Sequence, residues 1–327
     1  MYGIVACHYR YESDCALKGF RMSLILVTGA TGRHGRTGAY VAHRLRQQGH
    51  HVRVLVRTRD ERSAALEAEG FEVMIGDLRE RNSLLTAMDG LDQATFCFPV
   101  GAGIVEAAAS FTSALRKVSP NARVVVMSMG AAQETSPSHL GRAAWLAEEV
   151  MASSGLKLCI LRVAAMFYEN ILLLHSDSIR EHGVIRNGFG ETKIPWIAGE
   201  DAAELMVAAL LHPDRFGEQP VCYPPGAEVL SHAEISEALS TELSRGIQFE
   251  SISEEEWRME LVALAGTGHP AINEDMARHI SALGAAYSQR GRAQLAIVPG
   301  ALAAQIGRQA KSFREFVQSH RDLLTTQ

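Results

Sequence analysis

The sequence predicts an α/β fold, a Rossmann-type doubly wound parallel sheet with a smaller helix-rich C-terminal subdomain. Three observations support this prediction. Apolar runs of strand length alternate with helical patterns over residues 24–161, the first run breaks into a glycine-rich turn, and helix start signals follow over residues 201–315. Strands that alternate with helices indicate parallel pairing, because each crossover places a helix on one face of the sheet.

The predicted strands are short runs rich in apolar or alternating residues. In chain order they cover residues 24–28, 51–57, 71–75, 94–98, 124–127 and 158–161. Helical patterns lie between them, over residues 40–45, 64–69, 84–88, 104–118 and 143–153.

Helix start signals dominate the later part of the chain. In a capping box, the side chain of a Ser, Thr or Asp at the helix start accepts a hydrogen bond from the backbone N–H three residues later. The acidic side chain at that later position accepts a hydrogen bond from the backbone N–H of the first residue. Such boxes are predicted at Asp201 with Glu204, Ser231 with Glu234, Ser253 with Glu256, and Ser312 with Glu315.

We expect three segments along the chain. Residues 1–21 lack periodicity and an apolar signal-peptide core, so we expect a disordered arm or a mis-assigned upstream start, with Met22 as a natural start. Residues 22–170 form the predicted NAD(P)-binding domain. Residues 171–327 form the predicted C-terminal substrate or closure subdomain, which can interleave with the first.

The composition of the 327 residues is typical of a globular protein with a large core, since 47% are hydrophobic and 21% are charged. A net charge of -5 does not predict the basic surface that binds nucleic acid. No apolar run is long enough to suggest a membrane span. The five cysteines are scattered and show no CxxC spacing, which favours reduced thiols, a cytoplasmic location and the absence of a metal site.

The first predicted strand ends in a turn that is typical of nucleotide-binding sites. Its candidate cofactor-binding residues are Gly29, Thr31, Gly32, Arg33, His34 and Gly35. We expect Gly29 to form the tight turn, Gly32 to admit the phosphates and Gly35 to let the helix approach the sheet. Backbone N–H groups and the helix dipole would then face a pyrophosphate. The alternative is a strand-to-helix turn without a ligand.

The end of the second predicted strand favours NADP(H) over NAD(H). An acid usually stands there to hold the ribose diol of NAD, but this strand ends in Arg57. A cation suits the 2′-phosphate of NADP(H), and Arg33 is a second candidate ligand. The alternative is that Arg57 is a solvated charge at the strand end.

Further candidate cofactor contacts follow the third and fourth strands. Asp77 and Leu78 stand where an adenine ring is usually held, although Asp77 is equally consistent with a helix cap or turn. Phe98 and Pro99 end the fourth strand and are candidates to line the nicotinamide ribose, with ordinary packing as the alternative.

Together these motifs resemble the NmrA-like family, an atypical branch of the short-chain dehydrogenase/reductase superfamily. The resemblance spans residues 22 to 324 and departs from the family pattern at Val163, where a proline is usual. The stretch from Arg162 to Asn170 is also slightly longer than in the family. The motifs that carry the resemblance lie at residues 28–35, 56–57, 76–78, 147–162, 169–170, 193–196, 230–231 and 306–317.

The resemblance implies an NADP(H)-binding Rossmann domain and a C-terminal subdomain that closes a cleft. Members of the family include NAD(P)H-dependent quinone or azo-type reductases. Other members are sensors that bind the dinucleotide without turning it over and regulate a protein partner.

The usual catalytic pair of the superfamily is missing from the sequence. Classical members use Tyr-x-x-x-Lys, but no tyrosine here is followed by lysine four residues later, and Leu140 and Ala144 stand near the expected place. The remaining catalytic candidates are Ser128 as a substrate-oxygen ligand, His139 as a proton donor and Tyr168 at the pocket mouth. The alternative for Ser128 is a cap or turn residue, that for His139 is an exposed residue at a helix start, and that for Tyr168 is core packing.

The missing pair favours direct hydride transfer to a quinone-like, azo-like or other small electrophilic acceptor. Reduction of such an acceptor does not require a strong proton donor from the protein. The alternative is a non-catalytic NADP(H) sensor that acts on a partner protein. The expected partners are therefore a small-molecule acceptor and either a second copy or a regulatory protein, with no nucleic acid and no membrane.

Overall fold

The computed structural model describes residues 22–32, 36–269, 272–289 and 297–325. The predicted arm over residues 1–21 lies outside this part of the chain, as do Arg33, His34 and Gly35 of the predicted turn. The central feature is a seven-stranded parallel sheet flanked by helices, as the alternating pattern predicts.

The strands form three sheets. The central sheet has the order β10-β6-β5-β4-β1-β2-β3, a three-stranded sheet has the order β11-β9-β7, and β12 pairs with β8. The bounds are β1 (Leu24–Thr28), β2 (His51–Val56), β3 (Glu72–Ile75), β4 (Gln93–Phe96), β5 (Arg123–Met129), β6 (Lys157–Val163), β7 (Met166–Phe167), β8 (Val184–Asn187), β9 (Ile194–Ile197), β10 (Val221–Cys222), β11 (Glu228–Leu230) and β12 (Gln248–Ser251).

The helices cover both faces of the central sheet and build most of the later part of the chain. Their bounds within the described residues are α1 (Thr37–Gln47), α2 (Glu61–Ala68), α3 (Arg81–Leu84), α4 (Ile104–Val118), α5 (His139–Ala152), α6 (Glu169–His182), α7 (Gly199–Leu211), α8 (His232–Leu243), α9 (Glu254–Gly266), α10 (Glu274–Gln289), α11 (Ala301–Ile306), α12 (Phe313–Ser319) and α13 (Arg321–Leu324).

Two apolar cores lie on opposite faces of the central sheet, because successive residues of each strand point to opposite sides. Ile25 and Val27 of β1 pack towards α1 and α7, whereas Leu26 packs towards α4 and α5. A third core, built around Trp196 and Trp257, belongs to the later part of the chain. All six sequence-predicted strands are found, and their parallel pairing puts their carboxyl ends at one edge of the sheet.

The chain returns to the central sheet after residue 170. Helix α7 packs on β5, β6 and α1, and β10 pairs in parallel with β6. Residues of the later segment therefore complete the central sheet.

The predicted helix starts are correct at three of the four boxes. Ser231, Ser253 and Ser312 each form a complete capping box. The box at Asp201 and Glu204 is wrong, because α7 begins at Gly199 and both carboxylates bind cations from other elements. Arg308 Nη1 lies 2.6 Å from Asp201 Oδ1, and Glu204 accepts from the Tyr40 hydroxyl and from Arg44 Nε, each at 2.7 Å.

None of the described helices combines the length and the apolar character that crossing a bilayer requires.

Buried histidines make the fold sensitive to acid. Burial lowers the pKa of His175 to about 4, that of His232 to about 3 and that of His279 to about 4. In the unfolded chain each histidine has a pKa near 6.5. Below that pH these histidines are protonated in the unfolded chain but still neutral in the folded chain, so acid favours unfolding. Burial acts in the opposite direction on Glu169, whose pKa it raises to about 7.

We therefore expect the free energy of unfolding to decrease as the pH falls from 6.5 towards 4.5. The unfolded chain binds about three more protons than the folded chain at the histidines and about one fewer at Glu169, a net difference of about two. The free energy of unfolding should therefore fall by roughly 2 to 3 kcal/mol for each pH unit. Urea unfolding at several pH values measures this slope, and His232→Phe should reduce it by about one proton. A midpoint that does not change over this range would contradict the expectation.

Candidate functional site

The turn after β1 forms a cradle that only glycine fits. Gly29 has a φ of +77°, in the left-handed region, and its carbonyl accepts a 2.9 Å hydrogen bond from the Gly32 N–H. A Cβ on Gly32 would lie 2.9 Å from that carbonyl oxygen. Glycine at these two positions therefore permits the tight turn and adds no side chain there between the backbone and a diphosphate.

The close approach of α1 to this turn depends on Gly38. A Cβ on Gly38 would lie only 2.4 Å from both the carbonyl carbon and the oxygen of Gly29. Sequence reasoning gave this packing role to Gly35, which lies outside the described residues, and it missed Gly38. A further glycine at the same three-residue spacing was the signal that could have found it.

Two arginines lie near the carboxyl ends of β1 and β2. Arg57 is exposed just beyond β2 and makes no hydrogen bond or ion pair to another described residue, although its charge helps to lower the pKa of Asp77. Arg62, on the first turn of α2, donates from Nη1 to the carbonyl oxygen of Thr31 at 2.6 Å. Sequence reasoning singled out Arg57 but missed Arg62, whose contact with the turn depends on the tertiary fold.

Asp77 is a turn residue in this structure. Its carboxylate accepts from the Arg79 N–H at 2.9 Å and pairs with the Arg79 guanidinium at 2.8 Å, and these hydrogen bonds hold its pKa below the usual range. Leu78 is half-buried against the α4 and α5 core. The segment after β3 thus presents a backbone turn and an apolar side chain to the edge of the sheet.

The segment after β4 is held by α10 from the later part of the chain. Phe98 is half-buried and stacks on Phe96 with ring centroids 6.4 Å apart, while Pro99 is exposed. Asn273 Nδ2 donates to the Val100 carbonyl at 3.1 Å, and the Ala102 N–H donates to Asp275 at 3.1 Å. The later segment therefore reaches over the edge where the candidate nicotinamide contacts lie.

Ser128 belongs to a polar chain under α5. Its hydroxyl donates to Glu148, a buried carboxylate that also accepts from Arg162 Nε at 2.7 Å. Arg162 Nη1 in turn donates to the Tyr223 hydroxyl at 2.5 Å. Because the Ser128 proton is committed to Glu148, its oxygen can accept a hydrogen bond from a ligand more readily than it can donate one.

His139 is the first residue of α5, as the helix-start alternative proposes. Its side chain is 42% exposed and its Nε2 lies 3.4 Å from Asp275 Oδ1. A cavity of about 60 Å³, whose lining does not include His139, lies between the loop after β5 and α10. The residues that line the cavity are uncharged: Gly130, Ala131, Gln133, Ser136, Pro137, Leu283, Ala286 and Tyr287.

Tyr168 does not lie at a pocket mouth, and here the core-packing alternative holds. The side chain is fully buried, packs against Trp196, Phe313 and Phe316, and donates to Glu228 at 2.6 Å. Burial raises the pKa of this phenol further, so it is a poor proton donor. Sequence reasoning could not see this, because its partners come from segments at least 28 residues away.

Within the part of the chain that the structure describes, no group of three or more His, Cys, Asp or Glu side chains is placed to hold a metal ion. The edge of the central sheet at the carboxyl ends of its strands combines the glycine turn after β1, the arginines beside that turn, and a cavity near α5 with an uncharged lining. The glycine turn and the arginines beside it suit a dinucleotide.

Comparison with known proteins agrees with this geometry. The model of the NmrA-like family matches residues 21–296. A relative from Xenophilus azovorans, described as NAD(P)H azoreductase, is 30% identical over 91% of this chain and 98% of its own length.

Solved structures with the same fold include two dinucleotide complexes. One is an NADPH-dependent quinone oxidoreductase from Escherichia coli with NADPH, which is 22% identical and has a TM-score of 0.75 over 91% of this chain and 99% of that chain. The other is NmrA, a negative transcriptional regulator with NADP, at 16% identity and a TM-score of 0.68 over 91% and 94%. At these identities the likeness supports the fold alone.

Proposed function

This chain belongs to the NmrA-like family, and from that premise we propose that it is an NADPH-dependent reductase of a quinone-like or azo-like acceptor. The observation that carries the proposal is the glycine turn after β1, at a sheet edge where the described residues place no tyrosine–lysine pair. Leu140 and Ala144 are buried apolar residues of α5, and the Ser128 hydroxyl donates a hydrogen bond to Glu148.

The residues at the edge fit the coenzyme. A Cβ on Gly32 would collide with the Gly29 carbonyl, so glycine keeps the turn tight and leaves no side chain there between the backbone and a diphosphate. Gly29 and Gly32 would hold the diphosphate, and Arg57 would bind the 2′-phosphate. When bound, the coenzyme supplies the hydride.

The chain's own contribution is orientation. Asn273, which precedes α10, and Asp275 on its first turn fix the segment after β4, where the candidate nicotinamide contacts lie. The lining between Gly130 and Tyr287 is uncharged and would be compatible with contact to an uncharged acceptor, although a cavity of about 60 Å³ cannot enclose one. A proton can come from solvent, because a quinone or azo group needs only a weak donor after it has accepted a hydride.

Oxidation of NADPH in the presence of quinones and azo dyes, followed at the absorbance of the reduced coenzyme, tests the proposal. We expect turnover with these acceptors and much slower oxidation with simple ketones or aldehydes, which need the missing acid. Binding of NADPH without turnover of any acceptor, together with NADPH-dependent capture of a partner protein, would instead favour a sensor. A sensor role is the second candidate because a solved structure with the same fold is described as a negative transcriptional regulator.

We expect Arg57→Ala to remove most of the preference for NADPH over NADH. A hydrogen bond to a charged group contributes about 1.5 to 3 kcal/mol, so the ratio of the two dissociation constants should fall roughly tenfold to a hundredfold. Titration of both coenzymes measures the ratio, and Arg116→Ala on the exposed end of α4 is the control. An unchanged ratio would mean that Arg57 is only a solvated charge.

A further inference from the structure

Two cysteines face each other between β6 and β10. Cys222 pairs with Leu161 across these adjacent parallel strands, and Cys159 lies two residues before Leu161 on β6. Since side chains alternate along a strand, both thiols point to the same face of the sheet, into the core that α1 and α7 cover. They hydrogen-bond to each other, and Cys222 Sγ also donates to the Ile160 carbonyl at 3.5 Å. The two sulfurs are therefore direct neighbours.

The surroundings of this pair favour a thiolate. The hydrogen bond from the Cys222 thiol lowers the pKa of Cys159 to about 7 against the effect of burial, and the charge of Arg123 on β5 acts in the same direction. The same hydrogen bond, together with burial, raises the pKa of Cys222. The pair thus releases its first proton readily and its second with difficulty. Because the thiolate is the nucleophile of cysteine chemistry, the pair carries a reactive sulfur near neutral pH.

Access to the pair is narrow. Cys159 is only 4% exposed, whereas Cys222 is half-buried on the edge strand. In a close-packed interior, a small oxidant reaches these sulfurs more readily than a peptide disulfide such as oxidised glutathione. Cys97, at the end of β4, offers a comparison within the same chain, because burial raises the pKa of its thiol.

We propose that Cys159 and Cys222 form a redox-active dithiol that hydrogen peroxide converts to a reversible disulfide between β6 and β10. The proton between the sulfurs moves to Cys159, and the Cys222 thiolate attacks the peroxide. An S–O bond forms, the O–O bond breaks, and the departing hydroxide takes a proton from solvent to become water. The Cys159 sulfur then attacks the sulfenic acid of Cys222, so that an S–S bond forms, the S–O bond breaks, and a second water leaves with the thiol proton. The dithiol loses the two electrons that the peroxide gains.

The position of β10 allows this bond to form. The sulfurs must approach from contact to about 2 Å. Strand β10 can make this movement because it has two residues and lies at the edge of the central sheet. The disulfide would join the later part of the chain covalently to that sheet. Since β5 and β4 separate β6 from β1 and its glycine turn, the inference does not depend on the proposed function.

Peroxide treatment of the reduced full-length protein, followed by alkylation and tryptic peptide mapping, tests this proposal. Trypsin places the two cysteines in separate peptides, residues 158–162 and residues 216–245. We expect these peptides as a disulfide-linked pair that dithiothreitol releases, formed about tenfold or more faster than Cys97 is oxidised. Oxidised glutathione at the same concentration should form the pair more slowly, and faster formation would overturn the assignment to a small oxidant.

Two variants make the test specific. Cys159→Val keeps an apolar side chain in the core but removes the second thiol, so dimedone should trap a sulfenic acid on Cys222 that it does not trap in the wild type. Cys97→Ser is the control, and it should leave the rate of disulfide formation within about twofold. A disulfide that involves Cys97 or joins two chains would overturn the proposal. Oxidation of Cys97 while Cys159 and Cys222 stay reduced would overturn it as well, and this result needs only the wild-type protein.

Discussion

Gly38→Ala is expected to weaken NADPH binding by about a hundredfold or more. The added Cβ would lie 2.4 Å from the Gly29 carbonyl and 2.7 Å from the Ala30 nitrogen. These are backbone atoms that cannot rotate away, so α1 and the turn must separate. A displacement of about 1 Å in a binding site can lower function by two orders of magnitude. Calorimetric titration with NADPH measures the loss.

A matched control is available for this substitution. Gly266 is the last residue of α9; a Cβ added there would meet nothing within 4 Å, and its φ is not positive. Gly266→Ala should therefore leave binding unchanged and leave stability equal or slightly higher. NADPH binding by Gly38→Ala at the wild-type affinity would show that the contact between α1 and the turn does not shape the site.

The second large effect is expected at the buried pair of Glu148 and Arg162. Their side chains are only 4% and 13% exposed, and Arg162 Nη2 lies 2.5 Å from the carboxylate. Glu148→Ala would leave the guanidinium buried without its counter-charge and would also remove the acceptor of Ser128. We expect a loss of about 3 to 5 kcal/mol in the free energy of unfolding, measured with urea.

Two comparisons make this expectation specific. The exposed pair of Arg258 and Glu255 is a surface contact within α9, and Arg258→Ala should cost less than about 1 kcal/mol. Replacing both Glu148 and Arg162 with methionine should recover much of the loss, since no buried charge then remains. A loss below about 1 kcal/mol in Glu148→Ala would show that the pair behaves like a hydrated surface contact.

The sequence predicts the central sheet well because its signals are local. Each of the first six strands is a short apolar run, and the helix over residues 104–118 coincides with α4. The capping boxes at Ser231, Ser253 and Ser312 are equally local, since both partners lie within one helical turn. Such features need no knowledge of the tertiary fold.

The predictions that failed depend on distant partners. Asp201 and Glu204 have the spacing of a capping box, but Arg308 and Arg44 bind them from other parts of the chain. Tyr168 resembles a site residue in sequence and is buried by aromatic rings from β9 and α12. The contact of Arg62 with Thr31 likewise exists only once β1 and α2 are placed side by side.

The central claim is that the turn after β1 binds a dinucleotide and that the arginines beside it favour the coenzyme with the extra phosphate. Isothermal titration calorimetry of the wild-type protein with NADPH and with NADH tests it most directly. The account predicts saturable heat with NADPH and clearly weaker binding of NADH. The absence of heat with either coenzyme, or tighter binding of NADH, would contradict it.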